Sequence, residues 1–80
     1  MGASAEWKDR YFTKTCDRCG ERNHIVVTYD GAKNTTLEVG RCFNCNAPVH
    51  EETCFMIWVA PSRQEVERRV SRAAGLARLL

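Results

Sequence analysis

Cys16-Asp17-Arg18-Cys19-Gly20 and Cys42-Phe43-Asn44-Cys45-Asn46 decide the reading of this 80-residue chain. Each stretch holds two thiols in a C-x-x-C pair, so one tight turn can present both to the same edge of a tetrahedral ion. The second pair closes the opposite edge. Gly20 and Asn46 each follow the second cysteine of a pair, where such a turn needs a residue tolerant of positive φ. Glycine adopts that conformation without steric cost, and asparagine is among the next best. Cys16, Cys19, Cys42 and Cys45 are therefore the expected ligands of one structural ion. Zinc suits them, because it takes four thiolates without redox chemistry.

The two motifs, with the strand-like segments between and after them, resemble the zinc ribbon superfamily over roughly residues 11–60. The resemblance implies a zinc ribbon of three to four antiparallel strands, with one structural Zn2+ per chain. It carries no single function, since zinc ribbons are similar in architecture across transcription factors, ribosomal proteins, enzyme appendages and viral regulators. It points toward a transcription or nucleic-acid-related setting.

The length fits one small domain whose thin core needs a staple, and bound metal would supply it. Residues 1–10 read as a flexible lead-in and 11–80 as a single domain ending in a helix over 63–80. The five cysteines come without a secretory leader or an apolar run of transmembrane length, so a reduced, intracellular compartment (cytoplasm or nucleus) is expected and disulfides are disfavoured. No membrane role is expected. The formal charge is +2. Zinc with four thiolates carries about −2, which brings the loaded chain near neutrality. The tail is the basic part: residues 62–80 hold Arg63, Arg68, Arg69, Arg72 and Arg78 against Glu65 and Glu67.

Tyr11-Phe12-Thr13 reads as a short strand before the first cysteine pair. His24–Tyr29 is rich in β-branched residues and reads as a second strand. Asp30-Gly31 is a hairpin signal leading into Thr35–Arg41, where Leu37 and Val39 share a face. Cys54–Ala60 is the most apolar run and reads as the central strand, with Cys54, Met56 and Trp58 on one face and Phe55, Ile57 and Val59 on the other. Pro61 and the S-x-x-E box Ser62–Glu65 open the helix. Val66, Val70, Ala73, Ala74, Ala77 and Leu80 form one apolar stripe, expected to cover the sheet. Gly75 weakens the helix by about 1 kcal/mol relative to alanine. Leu76 and Leu79 lie beside the stripe and widen it; with Leu80 they are read as core, with docking to a partner groove as the alternative.

A spacing echo links the halves. Cys16-x2-Cys19-x4-His24 recurs 26 residues later as Cys42-x2-Cys45-x4-His50. Two similar turns account for it. A rival site of Cys42, Cys45, His50 and Cys54 approaches a retroviral-type knuckle, but it strands Cys16 and Cys19. A rubredoxin-like iron site with redox function is a remote alternative for the same four thiolates. His24 and His50 read as ordinary strand-entry residues and Cys54 as a small buried apolar one.

No catalytic constellation stands out, and four thiolates leave no open position for substrate. The expected function is a non-enzymatic interaction or regulatory module, a protein adaptor that docks onto a larger assembly. Direct DNA or RNA binding is the alternative. It would use Arg68, Arg69, Arg72 and Arg78 of the helix and Arg18, Arg22 and Arg41 near the cysteine turns. Glu65–Arg68 and Glu65–Arg69 pairs are the competing use of that helix face.

Overall fold

Among the described residues, five strands, β1 (Trp7–Thr15), β2 (Arg22–Asp30), β3 (Thr36–Arg41), β4 (Pro48–Cys54) and β5 (Met56–Ala60), precede the helix α1 (Arg63–Leu79). This is a computed structural model, and it describes residues 7–31 and 34–79, without the side chains of Trp7 and of 74–79. Every strand pairing is antiparallel. One sheet runs β1-β2-β5 and the other β3-β4.

The centre of the fold is β2. Asn23 and the run Ile25-Val26-Val27-Thr28 are all buried, so this strand is covered on both faces. On one face Val26, Ala60, Val66 and Val70 form a cluster flanked by Tyr11 and Trp58, with the helix as cover. On the other face Ile25, Val27 and Cys54 pack with Phe12, Tyr29, Val49, Ile57 and Val59, and the β3-β4 sheet closes over them. The layers are helix, three-stranded sheet, two-stranded sheet.

Ser62 caps α1 as its motif predicts: its Oγ accepts from Glu65 N at 3.2 Å and its carbonyl from Val66 N at 3.1 Å. Val66 and Val70 face the sheet, while Ala73 is half-buried. Arg69 donates from Nη1 to the Val59 carbonyl at 2.9 Å, which ties the helix to β5. The Arg63 guanidinium lies over the Tyr11 ring, 4.3 Å from its centroid.

Several expectations need correction. The run 54–60 is not one central strand. It bends at Phe55, whose N–H donates to the Thr28 carbonyl at 3.0 Å. Cys54 ends β4 and faces the core between the sheets, whereas Trp58 faces the helix, so the expected alternation breaks at the bend. β5 is then an edge strand, and β2 takes the central place. Asp30-Gly31 does not close a β2-β3 hairpin, because both edges of β2 are occupied by β1 and β5. The connection carries the chain to the other sheet instead. Asn34 steadies it, accepting from Asp30 N at 2.9 Å and donating to the Gly31 carbonyl at 2.7 Å. β1 is longer than expected and begins at Trp7, paired with Asp30, so 7–10 belong to a strand; residues 1–6 lie outside the described ones. The five strands exceed the expected three to four. Leu37 and Val39 do share a face, but it is the exposed one, at 60% and 37%.

Their neighbour Gly40 faces inward. A Cβ there would sit 2.6 Å from Ile57 Cγ2 and 3.2 Å from Val59 Cγ2, so β3 crosses β5 at a distance only glycine allows. Gly40→Ala is expected to destabilise the fold by about 1–3 kcal/mol through overpacking. Denaturant titration of the metal-loaded protein measures it; a midpoint unchanged from wild type would mean that the two layers can separate at no cost.

Candidate metal centre

The cysteine-bearing turns join β1 to β2 and β3 to β4, and they share one geometry. In the first, Gly20 N donates to the Cys16 carbonyl at 2.9 Å and Cys16 N to the Glu21 carbonyl at 2.8 Å. In the second, Asn46 N donates to the Cys42 carbonyl at 3.0 Å and Cys42 N to the Ala47 carbonyl at 2.7 Å. Gly20 and Asn46 have φ of +81° and +68°, the conformation their residue types suggest. Nothing lies within 4 Å of a Cβ built on Gly20, so its backbone conformation, not space, calls for glycine there.

The two turns bring Cys16, Cys19, Cys42 and Cys45 together with every Sγ within 4.8 Å of the others. Cys16 Sγ lies 3.5 Å from Cys45 Sγ, and Cys19 Sγ 3.6 Å from Cys42 Sγ. Sulfurs at about 2.3 Å around a tetrahedral zinc would stand about 3.8 Å apart. The donor set therefore fits a metal ion. Cys16 and Cys42 are buried and Cys19 and Cys45 half-buried, with Ala47 and Val49 packed against them.

Backbone N–H groups point at the sulfurs. Arg18 N donates to Cys16 Sγ and Asn44 N to Cys42 Sγ, both at 3.4 Å. The Cys16 thiol is held below its ordinary value, first by the N–H of Cys19 and then by that of Arg18, against the opposing effect of burial. At Cys42 burial pushes upward, but N–H donors from Cys45, Asn44 and the Asn23 amide more than offset it and bring the thiol to about 6. At Cys45 the Ala47 N–H pulls downward, yet burial and the neighbouring sulfurs push the thiol up to about 11. Four thiols this close do not all ionise together, so a cation at their centre is what stabilises the fully deprotonated set.

The rival ligand set is not assembled. Cys54 is buried among the apolar side chains between the sheets, where desolvation raises its thiol. His50 accepts at Nδ1 from Lys14 Nζ (3.2 Å) and donates at Nε2 to Glu52 Oε1 (2.8 Å). Glu52 also meets Arg10 Nη2 at 2.8 Å and the Tyr29 hydroxyl. The Tyr29 bond, then His50, holds the Glu52 carboxyl below its usual range. His24 pairs with the Tyr11 hydroxyl at 2.7 Å. Both histidines thus serve the walls between layers rather than the sulfurs.

Three of the candidate contact arginines are engaged within the chain. Arg68 and Arg69 reach Glu65 at 3.2 and 3.3 Å, the pairs their helical spacing predicts. Arg41 donates to the Asn46 carbonyl at 3.3 Å. Arg18, Arg22 and Arg72 are exposed and make no ion pair with the described residues. The side chains of Arg78, Leu76, Leu79 and Leu80 lie outside the described ones.

Asn23 is the residue that reading the sequence missed. Its signal was weak but present: asparagine is a poor strand former, and this one lies four positions after Cys19 in an otherwise β-prone run. No protein-family model matches the chain, and no curated protein or solved structure matches it. What fold and site establish together is a small β-rich protein of antiparallel strands and a C-terminal helix, with four clustered cysteines able to hold a metal ion.

Proposed function

We propose that the chain is a zinc-ribbon module in which Cys16, Cys19, Cys42 and Cys45 hold one structural Zn2+, and that it works without catalysis as a protein adaptor in a transcription or nucleic-acid-related assembly. The convergence of four thiols from two positive-φ turns, with N–H donors aimed at the sulfurs, carries the metal part of this reading. Four protein ligands close the coordination sphere, which suits a structural ion rather than a catalytic one. The assembly setting follows from the likeness of the motifs to zinc ribbons.

Two observations favour a protein partner over direct nucleic-acid contact. Arg68, Arg69 and Arg41 are engaged within the chain, which leaves little clustered positive charge for phosphates. The outer face of β3-β4 meanwhile presents Leu37 and Val39, and Phe43 is 39% exposed on the second cysteine turn. Fluorescence anisotropy with labelled oligonucleotides across a salt series tests the choice. The adaptor reading expects negligible affinity at physiological salt and no dependence on Arg68→Glu or Arg72→Glu. Tight binding that falls steeply with salt and with those reversals would move the function to nucleic acid. If the adaptor reading holds, Leu37→Lys abolishes partner capture while the metal-loaded fold is retained.

A further inference from the structure

The two cysteine turns are alike in backbone but differ in what braces them. Asn23 is 0% exposed, and its carboxamide is fully engaged around the second turn. Its Oδ1 accepts from Phe43 N at 3.0 Å. Its Nδ2 donates to Cys42 Sγ at 3.5 Å and to the Glu21 carbonyl at 3.3 Å. One side chain on β2 thus joins the exit of the first turn, the backbone of the second, and a sulfur of the second. The spacing echo places Val49 at the corresponding position after Cys45. Val49 packs against the cysteine cluster but has nothing to donate. The brace exists on one side only.

A buried carboxamide carries a desolvation cost unless its groups are paired, and here the pairing includes a sulfur. N–H donors to a ligating thiolate stabilise its charge and fix the direction of its lone pairs, as outer contacts do at metal sites generally. We propose that Asn23 is the positioning residue of the metal centre: it holds Cys42 and its turn in ligating geometry and, among the described residues, is the one side chain other than the cysteines that donates a hydrogen bond to a sulfur. The inference rests on the reading of the four cysteines as a zinc site and adds a residue to it.

Two variants separate this role from mere filling of space. Asn23→Asp has the same shape and keeps an oxygen to accept from Phe43 N, but it turns a carboxylate toward Cys42 Sγ. Asn23→Val removes donor and acceptor together and copies the side chain found at position 49. The full chain is loaded with Zn2+ and titrated with a chromophoric chelator. Its Co2+ form is examined for the sulfur-to-cobalt charge-transfer bands, which report on loaded protein even where a variant folds only with metal. Asn23→Val is expected to lose about 10–100-fold in zinc affinity and to shift those bands. Asn23→Asp is expected to lose more than Asn23→Val at neutral pH, because it places negative charge beside thiolate. The opposite order, with the isosteric Asp milder and its cobalt spectrum unchanged, would leave Asn23 as a structural support for the Phe43 turn and overturn the proposal. Wild-type zinc affinity in both variants overturns it as well. Failure of the wild-type chain to take up zinc or cobalt at all strikes the zinc reading itself, so the two failures are told apart.

Discussion

Removing the metal is expected to unfold the protein. The cysteine turns connect β1 to β2 and β3 to β4, so the one hairpin connection of each sheet among the described residues runs through the site. Without a cation, the sulfurs that lie 3.5 and 3.6 Å apart either keep their protons or repel one another. Metal binding in small zinc domains is worth about 10–16 kcal/mol, comparable to or larger than the 5–15 kcal/mol total stability usual for a domain. Chelation should therefore abolish the β circular-dichroism signal and the near-ultraviolet signal together, and zinc should restore both. Cys16→Ser should weaken zinc binding by more than the 10–100-fold typical of losing an outer contact. Acid should have the same direction of effect. The metal holds its ligands as thiolates, so protons compete with it as pH falls, and the stability it contributes is present at higher pH and lost toward acid. A chelated chain that keeps its full signal would mean that the two apolar clusters suffice without a staple.

Loss of the helix is the second large effect. Val66 is 0% exposed and Val70 7%, and both close the face of β2 and β5 that carries Val26 and Ala60. Val66→Asp would place a carboxylate in that cluster, whose members are all uncharged. The expected cost is on the order of 4 kcal/mol, in the class of unpaired buried charges. Truncation at Pro61 removes the layer altogether and should leave a protein that aggregates, because Tyr11, Val26, Trp58 and Ala60 would form an uncovered apolar face. Thermal unfolding of the point variant and sedimentation of the truncated one measure these outcomes. A truncated chain that stays monomeric and folded would assign the helix to a partner rather than to the core.

The features legible in the sequence are those whose physics is local. The cysteine pairs, the positive-φ residues Gly20 and Asn46, the Ser62 cap and the Glu65 pairs each depend on neighbours within a few positions. Strand pairing depends on which edges remain free. Asp30-Gly31 has the composition of a hairpin, yet β1 and β5 occupy both edges of β2, and no local signal reveals that. The apolar run 54–60 hides its bend because Phe55 is as β-prone as its neighbours, and the bend is held by a bond to Thr28, distant in the chain. Leu37 and Val39 alternate as a core face would, but Gly40 shows that the opposite face is the one pressed against β5. Asn23 acts on Cys42 and Phe43 across the fold, so its part in the site appears only once both turns are in place.

Zinc K-edge X-ray absorption on the full chain tests the central claim most directly. The account predicts one zinc per chain in a shell of four sulfurs at about 2.3 Å. A mixed shell of three sulfurs and one nitrogen would contradict it, and would point instead to His50 and Cys54 as ligands.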